Sequence, residues 1–237
     1  MNQITCAHIK YPEISPPPLK LQLREIFSGI YLSDLLKWAS IPSPETINPK
    51  TVLIIPGFGG GDLSVLPLKK FLRKQGHYAY SWGLGLNHSK IDNFIKPLLK
   101  RIDSLHKKHG RGISLVGWSL GGIFARELAR HRPKHVSNVV TMGSPVIVGP
   151  RITALHKLSG LFGWDSKQIE QDMIERYTTP IQQPITAIYS KKDGIVSWQG
   201  CIDHWSPSVQ HHEVSASHIG MGFSKEVYQV INYSLAR

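Results

Sequence analysis

Cysteine, acidic residues and long apolar runs are all scarce in this sequence, and each scarcity narrows its class. Two cysteines, Cys6 and Cys201, in 237 residues are too few and too scattered for a disulfide framework or a zinc site. Reduced thiols are expected, with no Cys6–Cys201 bridge. No apolar run approaches the roughly 18 residues of a membrane-spanning helix. The stretch Met1 to Tyr11 has no basic segment followed by an apolar one, so no secretory signal is read and a cytoplasmic location is expected.

The acidic deficit is marked: 16 Asp and Glu against 28 Lys and Arg, a net charge of +12. Such a charge raises the question of nucleic acid or an anionic membrane. Lys69, Lys70, Arg73 and Lys74 fall in one expected helix, and Lys96, Lys100, Arg101, Lys107, Lys108 and Arg111 in or just after the next. Apolar residues occupy the opposite faces, so these charges read as solvated outer surfaces. No RNA-binding signature or zinc-finger spacing accompanies them, and nucleic acid is not an expected partner. Peripheral contact with an anionic membrane stays as a secondary expectation. No metal and no organic cofactor is implied, and nothing in the pattern sets an oligomeric state.

What is present is an ordinary core composition, 41% hydrophobic and 19% charged, in a length that suits one α/β domain. Residues 1–49 read as an extension. After Pro16-Pro17-Pro18, the spacing of Leu23, Ile26, Phe27, Ile30, Tyr31, Leu35 and Trp38 predicts a helix packed on the domain. Residues 50–237 alternate strands and helices. Val52-Leu53-Ile54-Ile55 is apolar throughout, as a strand covered on both faces requires. A helix over about Ser64–Lys74 and a strand at Tyr78–Trp82 follow. Ile91, Phe94, Ile95, Leu98, Leu99, Ile102 and Leu105 then mark the clearest helix, with Pro97 expected to kink it or to mark a turn near its start. Strands are expected at Ile113–Val116, Val136–Met142, Ile185–Tyr189 and Gln210–Val214, and helices at Ile123–Arg130 and about Ser224–Leu235. This rhythm predicts βαβ units, a parallel sheet with helices on both faces, and chemistry at the carboxyl ends of the strands.

Just after the third strand stands Gly117-Trp118-Ser119-Leu120-Gly121, a G-x-S-x-G between a strand and a helix. The turn is too sharp for bulky neighbours, hence the glycines, and it lifts the Ser119 hydroxyl above the sheet at a helix N-terminus. A serine needs a base, itself oriented by a carboxylate, in the order serine, acid, histidine. Asp193 follows the strand Ile185–Tyr189 and His218 follows the last strand, both at carboxyl ends. Asp203 and Asp165 are alternative acids, and His204, His211 and His212 alternative bases. His211 and His212 fall in or beside the last strand and His204 before it, whereas glycines after His218 permit a tight loop. The Pro56-Gly57-Phe58-Gly59-Gly60-Gly61-Asp62 stretch after the first strand lacks the spacing of a phosphate-binding loop. It reads as half of an oxyanion hole, with the N–H groups of Phe58 and Leu120 as donors.

Six segments in order carry a family likeness: Ile-Pro-Gly-Phe-Gly-Gly-Gly-Asp, Trp82-Gly83-Leu84-Gly85-Leu86-Asn87, Gly-Trp-Ser-Leu-Gly-Gly, Met-Gly-Ser-Pro at 142–145, Ser-Lys-Lys-Asp-Gly-Ile-Val and Ser-His-Ile-Gly. Together they resemble the α/β-hydrolase superfamily, and more narrowly its bacterial esterase- and lipase-like members, over about residues 50–237. The resemblance implies Ser119, Asp193 and His218 as a catalytic triad, with Phe58 and Leu120 supplying the oxyanion hole. No strand is expected ahead of Val52, so the implied sheet is shortened to about six, mostly parallel strands.

Residues 146–184 interrupt the rhythm where such folds often carry a small helical cap. Leu161, Phe162 and Trp164 within it, flanked by Gly160 and Gly163, are candidate substrate-binding side chains, together with Trp118 beside the nucleophile. A packed helical excursion explains the same pattern as well as a mobile lid does. The expected activity is hydrolysis of a small-molecule or lipid carboxylic ester through an acyl-enzyme. An acyltransferase or thioesterase would use the same triad, and a non-catalytic lipid- or partner-binding protein could use the same scaffold.

Overall fold

Among the described residues, six strands form one all-parallel sheet and five α-helices pack around it. The computed structural model describes residues 14–26, 48–88, 91–146, 153–154 and 179–237. In chain order the elements are α1 (Leu19–Ile26), β1 (Thr51–Ile55), α2 (Leu66–Lys74), β2 (Tyr78–Ser81), α3 (Ile91–His109), β3 (Ile113–Trp118), α4 (Leu120–His131), β4 (Val136–Met142), β5 (Ile185–Tyr189), β6 (Val209–Glu213) and α5 (Lys225–Leu235). The sheet order is β2-β1-β3-β4-β5-β6. The chain therefore steps outward from β1 to β2, returns to the far side of β1 as β3, and then proceeds in one direction. The reversal leaves a crevice between the carboxyl ends of β1 and β3, the place where open α/β sheets bind ligands.

The apolar run of β1 has the burial that its composition demands. Val52 and Ile54 face a core closed by Leu68, Phe71 and Leu72 of α2 and Val227, Tyr228 and Ile231 of α5. Leu53 and Ile55 face the other core, closed by Phe94, Leu98 and Ile102 of α3 and Phe124, Ala125 and Leu128 of α4. Alternate residues of one strand thus feed two cores, which is why no polar alternation is visible in the sequence. The expected shortened, parallel α/β-hydrolase sheet with helices on both faces is the one observed.

Three expectations need adjustment. Pro97 lies inside α3, which runs unbroken from Ile91 to His109. It sits in the second turn, where its missing N–H costs only one early hydrogen bond. The helix after Ser119 begins at Leu120 rather than Ile123, because β3 continues through Gly117 and Trp118. At the N-terminus, α1 leaves Leu19, Leu23 and Ile26 exposed and buries Glu25, so within the described residues the apolar face does not supply the packing. Phe27, Tyr31 and Trp38 lie outside the described residues. So do Cys6, Asp165 and most of the expected cap, including Leu161, Phe162 and Trp164. Of residues 147–178 only Thr153 and Ala154 are described, with Thr153 bridging Val196 in antiparallel fashion. Cys201 is a free, buried thiol. No helix among the described residues is long and apolar enough to cross a membrane.

Candidate active site

Ser119 is the single link between β3 and α4, and its backbone is strained. At φ 54° and ψ −122° it is the one non-glycine residue of positive φ among the described residues. Such a conformation costs of order 1–3 kcal/mol and persists only where the surroundings impose it. Here glycines allow the chain to fold that tightly. A Cβ on Gly117 would stand 2.3 Å from the Gly121 carbonyl oxygen, and one on Gly121 would stand 2.2 Å from that of Ile55. The Ser119 N–H donates to the Met142 carbonyl at the end of β4 (2.7 Å), which ties the turn to the neighbouring strand. The hydroxyl-bearing residue sits at the N-terminus of α4, where N–H groups without helical partners favour negative charge.

The loop after β1 closes on this turn from the other side of the crevice. A Cβ on Gly57 would lie 3.2 Å from Ser119 Cβ. The loop is laced to residues 83–87 through Asn87, which is wholly buried. Gly59 N–H donates to the Asn87 carbonyl and Asn87 N–H to the Gly60 carbonyl, both at 2.8 Å. The Asn87 side-chain amide donates to the Pro56 carbonyl at 2.9 Å, and Asp62 accepts from Gly83 N–H at 3.0 Å. Phe58 is thereby held in a loop whose path is set by backbone bonds on both sides. Leu120 opens α4 directly after the serine.

Asp193 and His218 come from the loops after β5 and β6 and meet as a buried pair. His218 Nδ1 lies 2.7 Å from Asp193 Oδ2. Asp193 Oδ1 is occupied by the N–H groups of Ile195 (2.8 Å) and Val196 (2.7 Å), so its other oxygen is the one turned to the imidazole. An ionised carboxylate only accepts, so the proton of the neutral imidazole belongs on Nδ1 and Nε2 keeps its lone pair. Burial pulls the imidazole pKa down, but the charge and hydrogen bond of Asp193, helped by Glu25, outweigh it and raise the pKa above its ordinary value.

Two contacts bring this pair to the serine turn. The Trp118 indole N–H donates to the His218 carbonyl (3.3 Å), and the two rings lie 6.4 Å apart. Gly143 follows Met142, the acceptor of the Ser119 N–H, and a Cβ there would fall 3.0 Å from both Asp193 Oδ2 and His218 Nδ1. The end of β4 therefore backs onto the serine on one side and the acid–histidine pair on the other.

Two of the competing side chains, Asp203 and His211, are engaged elsewhere. Asp203 pairs with Arg126 at 2.7 Å and accepts from the N–H groups of Trp205 and Ser206. Burial raises the Asp203 pKa, but Arg126 and those two donors more than offset this and hold the carboxyl below its usual range. His211 Nε2 accepts from Asp203 N–H at 3.0 Å, and His204 is exposed. Two residues without an assigned role in the sequence reading belong to this neighbourhood. Asn87 stood within a quoted segment, and only its place after two glycines hinted at a loop lock. Glu25 sat in a stretch read for its apolar spacing, with no local signal at all.

Solved structures place the fold among lipases. A Bacillus licheniformis lipase in mature form aligns with a TM-score of 0.62 and 13% identity, over 82% of this chain and 96% of that one. A metagenome-derived lipolytic enzyme aligns at 0.61 and 14%, over 83% and 97%. A Paleococcus ferrophilus monoacylglycerol lipase aligns at 0.56 and 17%, over 79% and 96%. At such identities the likeness speaks to fold alone, and that fold is the α/β-hydrolase fold. The family model described as palmitoyl protein thioesterase matches residues 51–193, from the first strand of the sheet through Ser119 to Asp193. That match spans more than half of the 237 residues, and the chain belongs to the palmitoyl protein thioesterase family.

Proposed function

We propose that this protein hydrolyses apolar acyl esters through an acyl-enzyme on Ser119. The observation that carries the reading is the buried His218–Asp193 pair, 2.7 Å apart, on the carboxyl side of the sheet beside a strained serine turn. Ser119 Oγ attacks the acyl carbonyl while His218 Nε2 takes its proton. Asp193 holds the Nδ1 proton and stabilises the imidazolium that forms. The carbonyl oxygen becomes an oxyanion held by the N–H groups of Phe58 and Leu120, which act where charge develops and need little reorganisation. Collapse expels the leaving group, protonated by His218, and leaves an acyl-serine. Water then repeats the sequence with His218 again as base, releasing the carboxylic acid and restoring Ser119.

A fatty acyl thioester is a second reading, favoured by the family match. The two differ at collapse. A thiolate, with a parent thiol pKa of about 8.5, leaves with less help from the imidazolium than an alkoxide does. A purely binding role has less support, since it gives no reason to hold Ser119 in a costly conformation.

The test is a serine-directed fluorophosphonate, with p-nitrophenyl esters of increasing acyl length run beside an acyl thioester of matched chain. Labelling and turnover are expected in the wild type and neither in Ser119→Ala. Full activity in that variant would end the serine-hydrolase reading. Comparison of the ester and thioester kcat/KM values at equal chain length assigns the substrate class.

A further inference from the structure

The carboxylate of Glu25, on α1, is buried against the two loops that carry Asp193 and His218. Its Oε1 accepts from Gly194 N–H at 2.8 Å and from His218 N–H at 2.7 Å, and its Oε2 accepts from Ile219 N–H at 3.0 Å. The donors lie between 169 and 194 residues further along the chain. One adjoins Asp193, one is His218 itself and one follows it. We infer that Glu25 is a positioning residue for the acid–histidine pair, a fixed anion that ties the Asp193 loop to the His218 loop and so sets their separation. This rests on the roles proposed above for Asp193 and His218.

The orientation of α1 favours this role over ordinary packing. Leu19, Leu23 and Ile26, one turn apart in succession, are exposed at 67%, 50% and 73%, while Glu25 is 6% exposed. A helix docked for its apolar face would do the reverse, because burying a charge costs free energy unless it is well bonded. Here three backbone donors supply those bonds. The loop is shaped to receive the helix: a Cβ on Gly194 would lie 2.2 Å from the Leu21 carbonyl oxygen and 2.9 Å from Glu25 Cγ.

Only a carboxylate suits the three donors. Both of its oxygens accept, whereas the amide of glutamine accepts at one end and donates at the other. In Glu25→Gln at least one N–H would face an amide N–H, and the bonds that remain would lose their charge assistance. The charge also reaches the imidazole. Among the described residues, the groups facing His218 are Asp193 from the β5 loop, Glu25 from α1 and the uncharged Trp118 indole from β3, so Glu25 adds to Asp193 in favouring the imidazolium. Cys201, behind Asp193, is held neutral by burial and by the Asp193 charge.

The test compares wild type, E25Q and E25D, with Ser119→Ala as the zero of activity. The measurements are kcat and KM on one p-nitrophenyl ester across the neutral pH range, and the His218 imidazole titration by NMR. In E25Q, kcat is expected to fall on the order of 10²-fold, as for an ångström-scale misplacement. KM should stay within about twofold, because no substrate contact is lost. The acid limb of kcat/KM and the NMR titration should both move to lower pH. E25D keeps the charge but is a methylene short of spanning both loops, so it should lose kcat while titrating like wild type. A purely structural Glu25 would lower the melting temperature and leave the folded enzyme's kcat and His218 titration unchanged, and that result overturns the inference. Should E25Q not fold, wild-type kcat in E25D overturns it instead. If the wild type itself neither turns over nor labels, the hydrolase reading fails separately. The NMR comparison still decides Glu25, a downward shift supporting it and an unmoved titration sinking it.

Discussion

The serine side and the acid–histidine side of the site are built by different means. On the serine side, residues 56–62, 83–87 and 117–122 are held mainly by backbone: a turn that glycines allow to close, and a loop bonded N–H to carbonyl across Asn87. On the other side, five backbone N–H groups end on two carboxylates, those of Ile195 and Val196 on Asp193 and those of Gly194, His218 and Ile219 on Glu25. Apart from the Asp62 carboxylate that accepts from Gly83 N–H, the first half rests on uncharged groups, and it is intolerant of an added methyl. The second depends on ionised side chains brought from distant parts of the chain. Substitutions that remove charge should therefore injure one half, and substitutions that disturb loop geometry the other.

Removing the charge that faces the imidazole should do the most damage. Asp193→Asn keeps the shape of the side chain but offers an amide to Nδ1, which favours the wrong tautomer and leaves Nε2 protonated. The expected loss in kcat is on the order of 10⁴-fold, with KM little changed. Steady-state kinetics on a short ester would show it, and an Asp193→Asn enzyme within tenfold of wild type would rule out this carboxylate as the partner of the base. The intact enzyme should show the matching pH dependence. Because the native His218 pKa is raised above 6.5, kcat/KM should begin to fall above that pH as acid is added, losing tenfold per unit once the imidazolium dominates. Stability should run the other way. A raised native pKa stabilises the protonated fold below about pH 6.5, and that contribution is lost as pH rises through the native value. Melting temperatures and kcat/KM measured over one pH series would show opposite slopes.

The same division explains what the sequence made legible. The serine side uses contiguous signals: Gly117, Ser119 and Gly121 within five residues, and a glycine-rich loop directly after β1. Strand-by-strand alternation placed both at carboxyl ends, and the sheet order put them on either side of one crevice. Asp193 and His218 could be proposed because each follows a strand, but the choice among His204, His211, His212 and His218 rested on position relative to the last strand and on loop character. The geometry adds what spacing could not carry, namely that Asp203 is taken by Arg126 and His211 by the Asp203 N–H. Glu25 was invisible for a physical reason. Its partners among the described residues are backbone N–H groups, which leave no trace in residue type, and the apolar spacing that marked its helix includes Leu23 and Ile26, which are exposed.

The backbone-held half can be weakened without touching charge. Asn87→Ala keeps both main-chain bonds to Gly59 and Gly60 but leaves the buried Pro56 carbonyl without its side-chain donor. A stability loss of about 1–3 kcal/mol is expected from that unsatisfied group. Looser placement of Phe58 should cost kcat roughly ten- to a hundredfold, less than the 10²–10³ of deleting an oxyanion donor outright. KM and the position of the acid limb should not move, which separates this variant from any change at Asp193 or Glu25.

The smallest effect on catalysis is expected at the carboxylate that the sequence could not exclude. Asp203 and Arg126, the latter within α4, form an ion pair with side chains almost wholly buried. Asp203→Ala strands the guanidinium in a buried site, and breaking such a pair from one end costs about 3–5 kcal/mol. It also removes the acceptor for Trp205 and Ser206 N–H. The melting temperature should drop sharply. Well below it, active-site titration with a fluorophosphonate counts the folded molecules, and kcat per labelled serine should equal that of wild type. Replacing both partners with apolar side chains, Arg126→Met with Asp203→Leu, should recover much of the lost stability, since a buried pair contributes little net free energy over apolar packing. A fall of several orders in kcat per folded molecule would instead make Asp203 the acid and leave the Asp193–His218 contact without its assigned role.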